Sequence, residues 1–207
     1  MITETMTAKL IERYPALAPC SDDIKAAADM LIICFGAGGK VMCCGNGGSS
    51  ADSDHFVGEL MKGFLKKRAL PENEKAKFET EALACGLQKG LPALSLSSQT
   101  ALITAFNNDC EPDFVYAQQV YALAGKNDVL IVFSTSGNSA NIVYALEAAN
   151  AAGIKTIAVT GESGGRCAAK ADICIKIPSD ETCAIQELTL PVYHCIAAAV
   201  EEYFFSE

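Results

Sequence analysis

His55 and Glu59 stand four residues apart in the stretch Val41–Leu60, which reads VMCCGNGGSSADSDHFVGEL. On a helix that spacing places both side chains on one face, close to each other. An imidazole beside a carboxylate can bind a metal ion or move protons. A lone helical histidine is more often a core residue, but His55 follows a loop that suits a ligand. That loop is Gly45-Asn46-Gly47-Gly48-Ser49-Ser50. A strand that turns on glycines into a helix exposes the helix's first N–H groups and the positive end of its dipole, a seat for an anion or a hydroxylated ligand. The loop is no nucleotide fingerprint: G-x-G-x-x-G would need glycine where Ser50 stands, and no G-K-[ST] follows.

A second constellation is Ser134-Thr135-Ser136-Gly137-Asn138-Ser139, directly after the apolar run DVLIVF. Three serines and a threonine at a strand-to-helix junction can ring the oxygens of a phosphate without any lysine. One hydroxyl would suffice to cap the helix, so the surplus points to phosphate. A third group is Gln186 with His194, the only other histidine. They lie eight residues apart, about 12 Å along a regular helix. Both could reach one metal ion only if a neighbouring subunit supplied one of them, or if Pro191 bent the helix.

The elements that must position these groups follow from the apolar pattern. Residues 2–14 and 24–35 read as amphipathic helices, separated by Pro15 and Pro19 and with Ser21 or Asp22 as a cap. Strands are expected at 40–44, 91–96, 128–133, 155–160 and 172–177. Helices are expected from the glycine loop to about Leu65, at 98–106, at 112–123, after Ser139 to Ala152, and from about Ala184 to Phe205. Asn107–Cys110 reads as a turn. The segment 66–90, with Lys66-Lys67-Arg68 and Pro71-Glu72-Asn73-Glu74-Lys75, reads as a charged surface insertion with some helix, or less simply as a lid or interface element. Alternating strands and helices predict a three-layer α/β/α sandwich around a parallel sheet of about five strands. In such a sheet the ligand lies beyond the carboxyl ends of the strands.

The 207 residues, half of them hydrophobic, support one domain spanning 1–207, with residues 1–37 as two extra N-terminal helices. A formal net charge of −9 argues against nucleic acid as a partner. It leaves open a phosphorylated small molecule, held by local dipoles. No apolar run approaches the roughly 18–20 residues of a membrane helix, and the N-terminus lacks a signal-peptide pattern. Ten cysteines without a CxxC pair fit a reducing cytoplasm better than a disulfide framework or a thiolate metal site. Cys34, Cys43, Cys44, Cys174 and Cys195 lie in apolar segments, as small buried hydrophobes do.

CGNGGSSADSDHFVGEL, STSGNSAN and IQELTLPVYH, in that order, resemble the sugar isomerase (SIS) domain family, and within it the phosphoheptose isomerases. The likeness covers nearly the whole chain. It implies the flavodoxin-like SIS fold and aldose–ketose isomerisation of sedoheptulose 7-phosphate to the heptose aldose 7-phosphate. It implies sugar-phosphate contacts at Asn46, Gly47, Gly48, Ser49, Glu59, Asn108, Asp109, Ser134, Thr135, Ser136, Ser139 and Gln186. It implies Glu59 and His194 as the catalytic pair, and one zinc ion per active site on His55, Glu59, Gln186 and His194. It also implies a homotetramer with active sites between subunits. The chain departs from the family pattern in a longer 66–90 loop, in Ala184 where a basic residue often stands, and in Thr189 where histidine is common. An isomerase of another phosphosugar, a non-catalytic partner-binding protein and a sugar-phosphate sensor are the alternative expectations.

Overall fold

The computed structural model describes residues 2–206. Five parallel strands form one sheet: β1 (Val41–Gly45), β2 (Ala93–Ser95), β3 (Val129–Ser134), β4 (Lys155–Thr160) and β5 (Ile173–Lys176), in the order β2-β1-β3-β4-β5. β1 and β3 pair in register from Val41↔Val129 to Gly45↔Phe133. Every residue of β1 and of β3 is buried, as befits strands covered on both faces. Alternate residues feed two cores. Cys43, Ile131, Phe133 and Val159 face one, and Met42, Leu130, Val132 and Ala158 face the other.

The first core is covered by α1 (Ile2–Arg13), α2 (Ser21–Gly36), α3 (Gly48–Met61) and, later in the chain, the long helix Thr182–Phe205. Between β1 and β3 the chain also forms α4 (Glu72–Lys75), α5 (Glu81–Gly86), α6 (Thr100–Asp109) and α7 (Val115–Leu123), and α8 (Ala140–Ala151) follows β3. α7 and α8 supply Val120, Ile142, Val143 and Leu146 to the second core. The long helix is α9. By length and composition it could cross a membrane, but 61% of its apolar window is buried inside the fold. The run expected to be too short for a membrane is therefore long enough, and its burial makes it a core helix.

Several boundaries differ from the sequence reading, each for a local reason. α3 stops at Met61, not near Leu65, because Lys62 turns extended and the Arg68 guanidinium takes the helix's last carbonyls. Residues 107–109 continue α6 instead of forming a turn, and the chain bends at Cys110. Neither Ser21 nor Asp22 caps α2, whose N-cap is Cys20 with no side-chain bond. α9 likewise begins without a side-chain cap, after Glu181. The 66–90 segment does carry the short helices α4 and α5, but Arg68 belongs to the interior: it is 1% exposed. Cys34, Cys43, Cys44 and Cys195 are buried and Cys174 is half-buried.

Candidate active site

β2 lies on one side of β1 and β3 on the other, so the crevice beyond the carboxyl ends of β1 and β3 is the switch point of the sheet. A cavity of about 160 Å³ opens there, lined by Asn46, Ser49, Phe133, Ser134, Thr135, Ser139, Thr182 and Gln186. Ser49 lies in the first turn of α3, Ser139 is the N-cap of α8 and Thr182 begins α9. Three helix N-termini thus surround hydroxyls and two amides, with no basic side chain in the lining. That is an arrangement for an anion held by N–H groups, hydroxyls and dipoles.

Local packing shapes this cavity. Gly47 takes φ +57 as α3 begins, a conformation glycine adopts without a Cβ penalty. A Cβ at Gly48 would lie 2.4 Å from Gln186 Nε2, so glycine there admits the Gln186 amide. Asn46 and Asn141 exchange two amide hydrogen bonds of 2.9 Å, Nδ2 of each donating to Oδ1 of the other, and tie the glycine loop after β1 to the first turn of α8. The Tyr116 hydroxyl donates to the Gly45 carbonyl at 2.7 Å. Asn138 folds the serine loop: its N–H donates to Ser136 Oγ, and its Oδ1 accepts from the Arg166 N–H.

The second half of the site lies between α3 and α9. His55 Nε2 is 3.0 Å from Glu59 Oε1, and Lys62 Nζ donates to Glu59 Oε2 at 2.9 Å. The His55 and His194 rings meet edge to face at 5.0 Å, and Phe64 lies 5.1 Å from His194. Tyr193 OH is 2.9 Å from His55 Nδ1 and donates to Asp52 Oδ1 at 3.4 Å. Burial alone would raise the Glu59 carboxyl, but the Lys62 hydrogen bond and charge, with His55, hold it below its ordinary range. Burial, then the neighbouring His55, lowers His194, against the pull of Glu59. A carboxylate and a neutral imidazole at neutral pH are a base and a proton carrier.

The same cluster fits a metal. One donor atom from each of His55, Glu59 and His194 lies within 4.8 Å of the others. His194 Nε2 is buried with no hydrogen-bond partner among the described residues. Tyr193 occupies His55 Nδ1, which leaves Nε2 as the ligating nitrogen. Two imidazoles and a carboxylate are ligands zinc takes, with a position left over.

The structure brings together Asn46, Ser49, Ser134, Thr135, Ser139 and Gln186 in the cavity, and Gly47 and Gly48 form its glycine turn. It gathers His55, Glu59 and His194 in the second cluster. It does not bring Gln186 of the same chain into that cluster: Gln186 sits against Gly48, about two helical turns from His194. Ser136 is exposed and serves its own turn. Asn108 and Asp109 are exposed at the end of α6, bonded to each other and outside the cavity lining. Asn141, Tyr193 and Asp52 were not singled out from the sequence. Asn141 follows STSGNSA directly, a position that could have drawn notice; nothing near Tyr193 in sequence foretells its contact with His55.

The SIS domain family matches this chain over residues 8–89 and 74–161. The phosphoheptose isomerase of Thiobacillus denitrificans is 40% identical over 92% of this chain and 87% of its own length. That of Rhodospirillum rubrum is 39% identical over 90% and 88%. A solved phosphoheptose isomerase from Neisseria gonorrhoeae is similar in structure with a TM-score of 0.75 at 31% identity, covering 98% of this chain and 100% of that one.

Proposed function

Because the chain belongs to the SIS domain family, and to its phosphoheptose isomerases, we propose that it interconverts sedoheptulose 7-phosphate and D-glycero-D-manno-heptose 7-phosphate. The observation that carries this reading is the meeting of Glu59 and His194 between α3 and α9, on helices whose N-termini hold a hydroxyl-lined cavity. The cavity would take the phosphate, so binding energy far from the reacting carbons orients C1 and C2. Glu59 removes a proton from C1 of the ketose and returns one to C2. His194 gives a proton to the C2 oxygen and takes one from the C1 oxygen, and the enediol between the two steps is neutral. The net change is an isomerisation with no external reactant. Ser134, Thr135 and Ser139 donate hydroxyls to the phosphate, and Gln186 adds its amide.

Zinc belongs to the same proposal, on His55, Glu59 and His194; when bound, it would polarise the sugar carbonyl. As a zinc ligand Glu59 would be a weaker base. A homotetramer with sites between subunits is the proposed assembly. Its support is the placement of Gln186 apart from His194 within one chain, and an apolar cleft of about 520 Å³ beside His194. Met6, Leu10, Phe64, Leu65, Leu190 and Pro191 are among its lining residues. All ten cysteines are free thiols, which supports a reducing, cytoplasmic setting.

The test is competition among five-, six- and seven-carbon ketose phosphates for the purified protein. The highest kcat/KM on sedoheptulose 7-phosphate is expected. A clear preference for a shorter sugar would replace the substrate while leaving the chemistry in place.

A further inference from the structure

Arg68 and Glu201 form a buried ion pair that the chemistry above does not use. Both are 1% exposed, and Arg68 Nε donates to Glu201 Oε1 at 2.7 Å. The same oxygen accepts the Phe64 N–H at 2.8 Å. Oε2 accepts the N–H groups of Leu65 at 2.7 Å and Lys66 at 3.0 Å. Arg68 then donates Nη1 to the Leu60 carbonyl at 2.6 Å and Nη2 to the Glu59 carbonyl at 3.2 Å. Burial alone would raise the Glu201 carboxyl, but the Phe64 and Leu65 N–H groups and Arg68 hold it below its ordinary range.

Stability alone does not call for such a pair. Desolvating two charges costs enough that well-packed apolar residues of similar size are often no less stable. What a fully bonded pair adds is fixed atomic position. The last carbonyls of a helix have no partner within it. Arg68 takes two of them at the end of α3, one being the carbonyl of Glu59 itself, and sets its charge at the negative end of the helix dipole. Glu201 stands seven residues after His194 on α9, two turns along the same face. It also fixes the backbone of Phe64, whose ring packs on His194.

We propose that Arg68 and Glu201 are positioning residues for the isomerisation, a buried clamp that sets the Glu59 end of α3 against His194 on α9. The inference rests on the assignment of Glu59 and His194 to the chemistry. Neither clamp residue touches the sugar; each acts through a backbone group next to a reacting side chain.

The test is the double variant Arg68→Met/Glu201→Met, which removes both charges together at similar volume. Its kcat should fall about tenfold to a hundredfold, the scale of a misplacement near 1 Å. KM for sedoheptulose 7-phosphate should stay within about twofold, because the phosphate cavity is formed by other loops. A folded double variant with kcat within about twofold of wild type would overturn the proposal. If the double variant does not fold, Arg68→Lys is read by the same split, since one ammonium cannot serve Glu201 and both carbonyls with a guanidinium's fork. Hydrogen exchange at the Phe64, Leu65 and Lys66 amides separates this proposal from the functional reading. If wild type converts no heptose phosphate, the functional reading fails, while faster exchange at those amides in the variant upholds the clamp and unchanged exchange overturns it.

Discussion

Gly48→Ala sets the ligand cavity against the fold at a single atom. The added Cβ would stand 2.4 Å from Gln186 Nε2, where ordinary contact begins at 3.4 Å, so the amide must withdraw by about 1 Å. Gln186 is half-buried with a flexible end, and that withdrawal costs the fold little, roughly 0.5–1.5 kcal/mol for an off-rotamer side chain. Alanine inside the first turn of α3 returns about 0.5–1 kcal/mol relative to glycine. Stability should therefore change by less than about 1 kcal/mol. The ligand is affected more. A hydrogen bond to a charged phosphate contributes about 1.5–3 kcal/mol, so its loss should raise KM roughly tenfold to a hundredfold. The assay pairs thermal unfolding with steady-state kinetics on sedoheptulose 7-phosphate. An unchanged KM with a marked loss of stability would refute the placement of Gln186 in the substrate cavity.

Ser139→Ala removes a cavity hydroxyl that makes no side-chain cap bond to α8. Stability should hold within about 0.5 kcal/mol while KM rises roughly tenfold to a hundredfold; a loss near 1 kcal/mol with KM unchanged would make it a helix cap instead. Tyr193→Phe deletes the partner of His55 Nδ1, so zinc affinity measured by chelator competition should fall roughly tenfold to a hundredfold. Equal affinity would remove Tyr193 from the metal's surroundings. Asp172 accepts from Lys155, the Thr156 N–H and the Thr156 hydroxyl; burial alone would raise its carboxyl, but these bonds hold it below 3.8. A depressed carboxyl gives stability that is present above pH 3.8 and lost as pH falls through the folded value. Asp172→Asn should then be about 1 kcal/mol less stable at pH 7, with the gap closing in acid unfolding below pH 3.8. A gap independent of pH would show that the charge contributes nothing.

Much of this arrangement was legible from local pattern. DVLIVF and KTIAVT carry their own β-strand signal because both faces of the sheet are covered, and Lys155–Thr160 is a strand from end to end. The glycine and serine loops announced their places because strand, turn residues and helix adjoin in sequence. Pairings across the fold left no such trace. Arg68 read as the third member of a surface basic cluster, and only its meeting with Glu201, 133 positions away, makes it an interior residue. The acidic pair Glu201-Glu202 inside the apolar run IAAAVEEYFF was the one hint of Glu201. α3 looked longer than it is because Phe64 and Leu65 continue its apolar pattern, and the helix stop comes from Arg68, a tertiary contact. Asn107-Asn108-Asp109 has the composition of a turn, yet α6 runs through it and leaves Asn108 and Asp109 outside the cavity. Gln186 and His194 share one helix but lie in two clusters within the chain, as the rise of a straight helix implies.

Glu59 is the proposed carrier of the proton between C1 and C2. The most direct test is conversion of sedoheptulose 7-phosphate in deuterated water by wild type and by Glu59→Gln, followed by proton NMR. Wild type should form the aldose with solvent deuterium at C2. The variant should still bind the sugar phosphate but turn it over about a hundredfold or more slowly. Full turnover by Glu59→Gln would take the proton transfer away from Glu59.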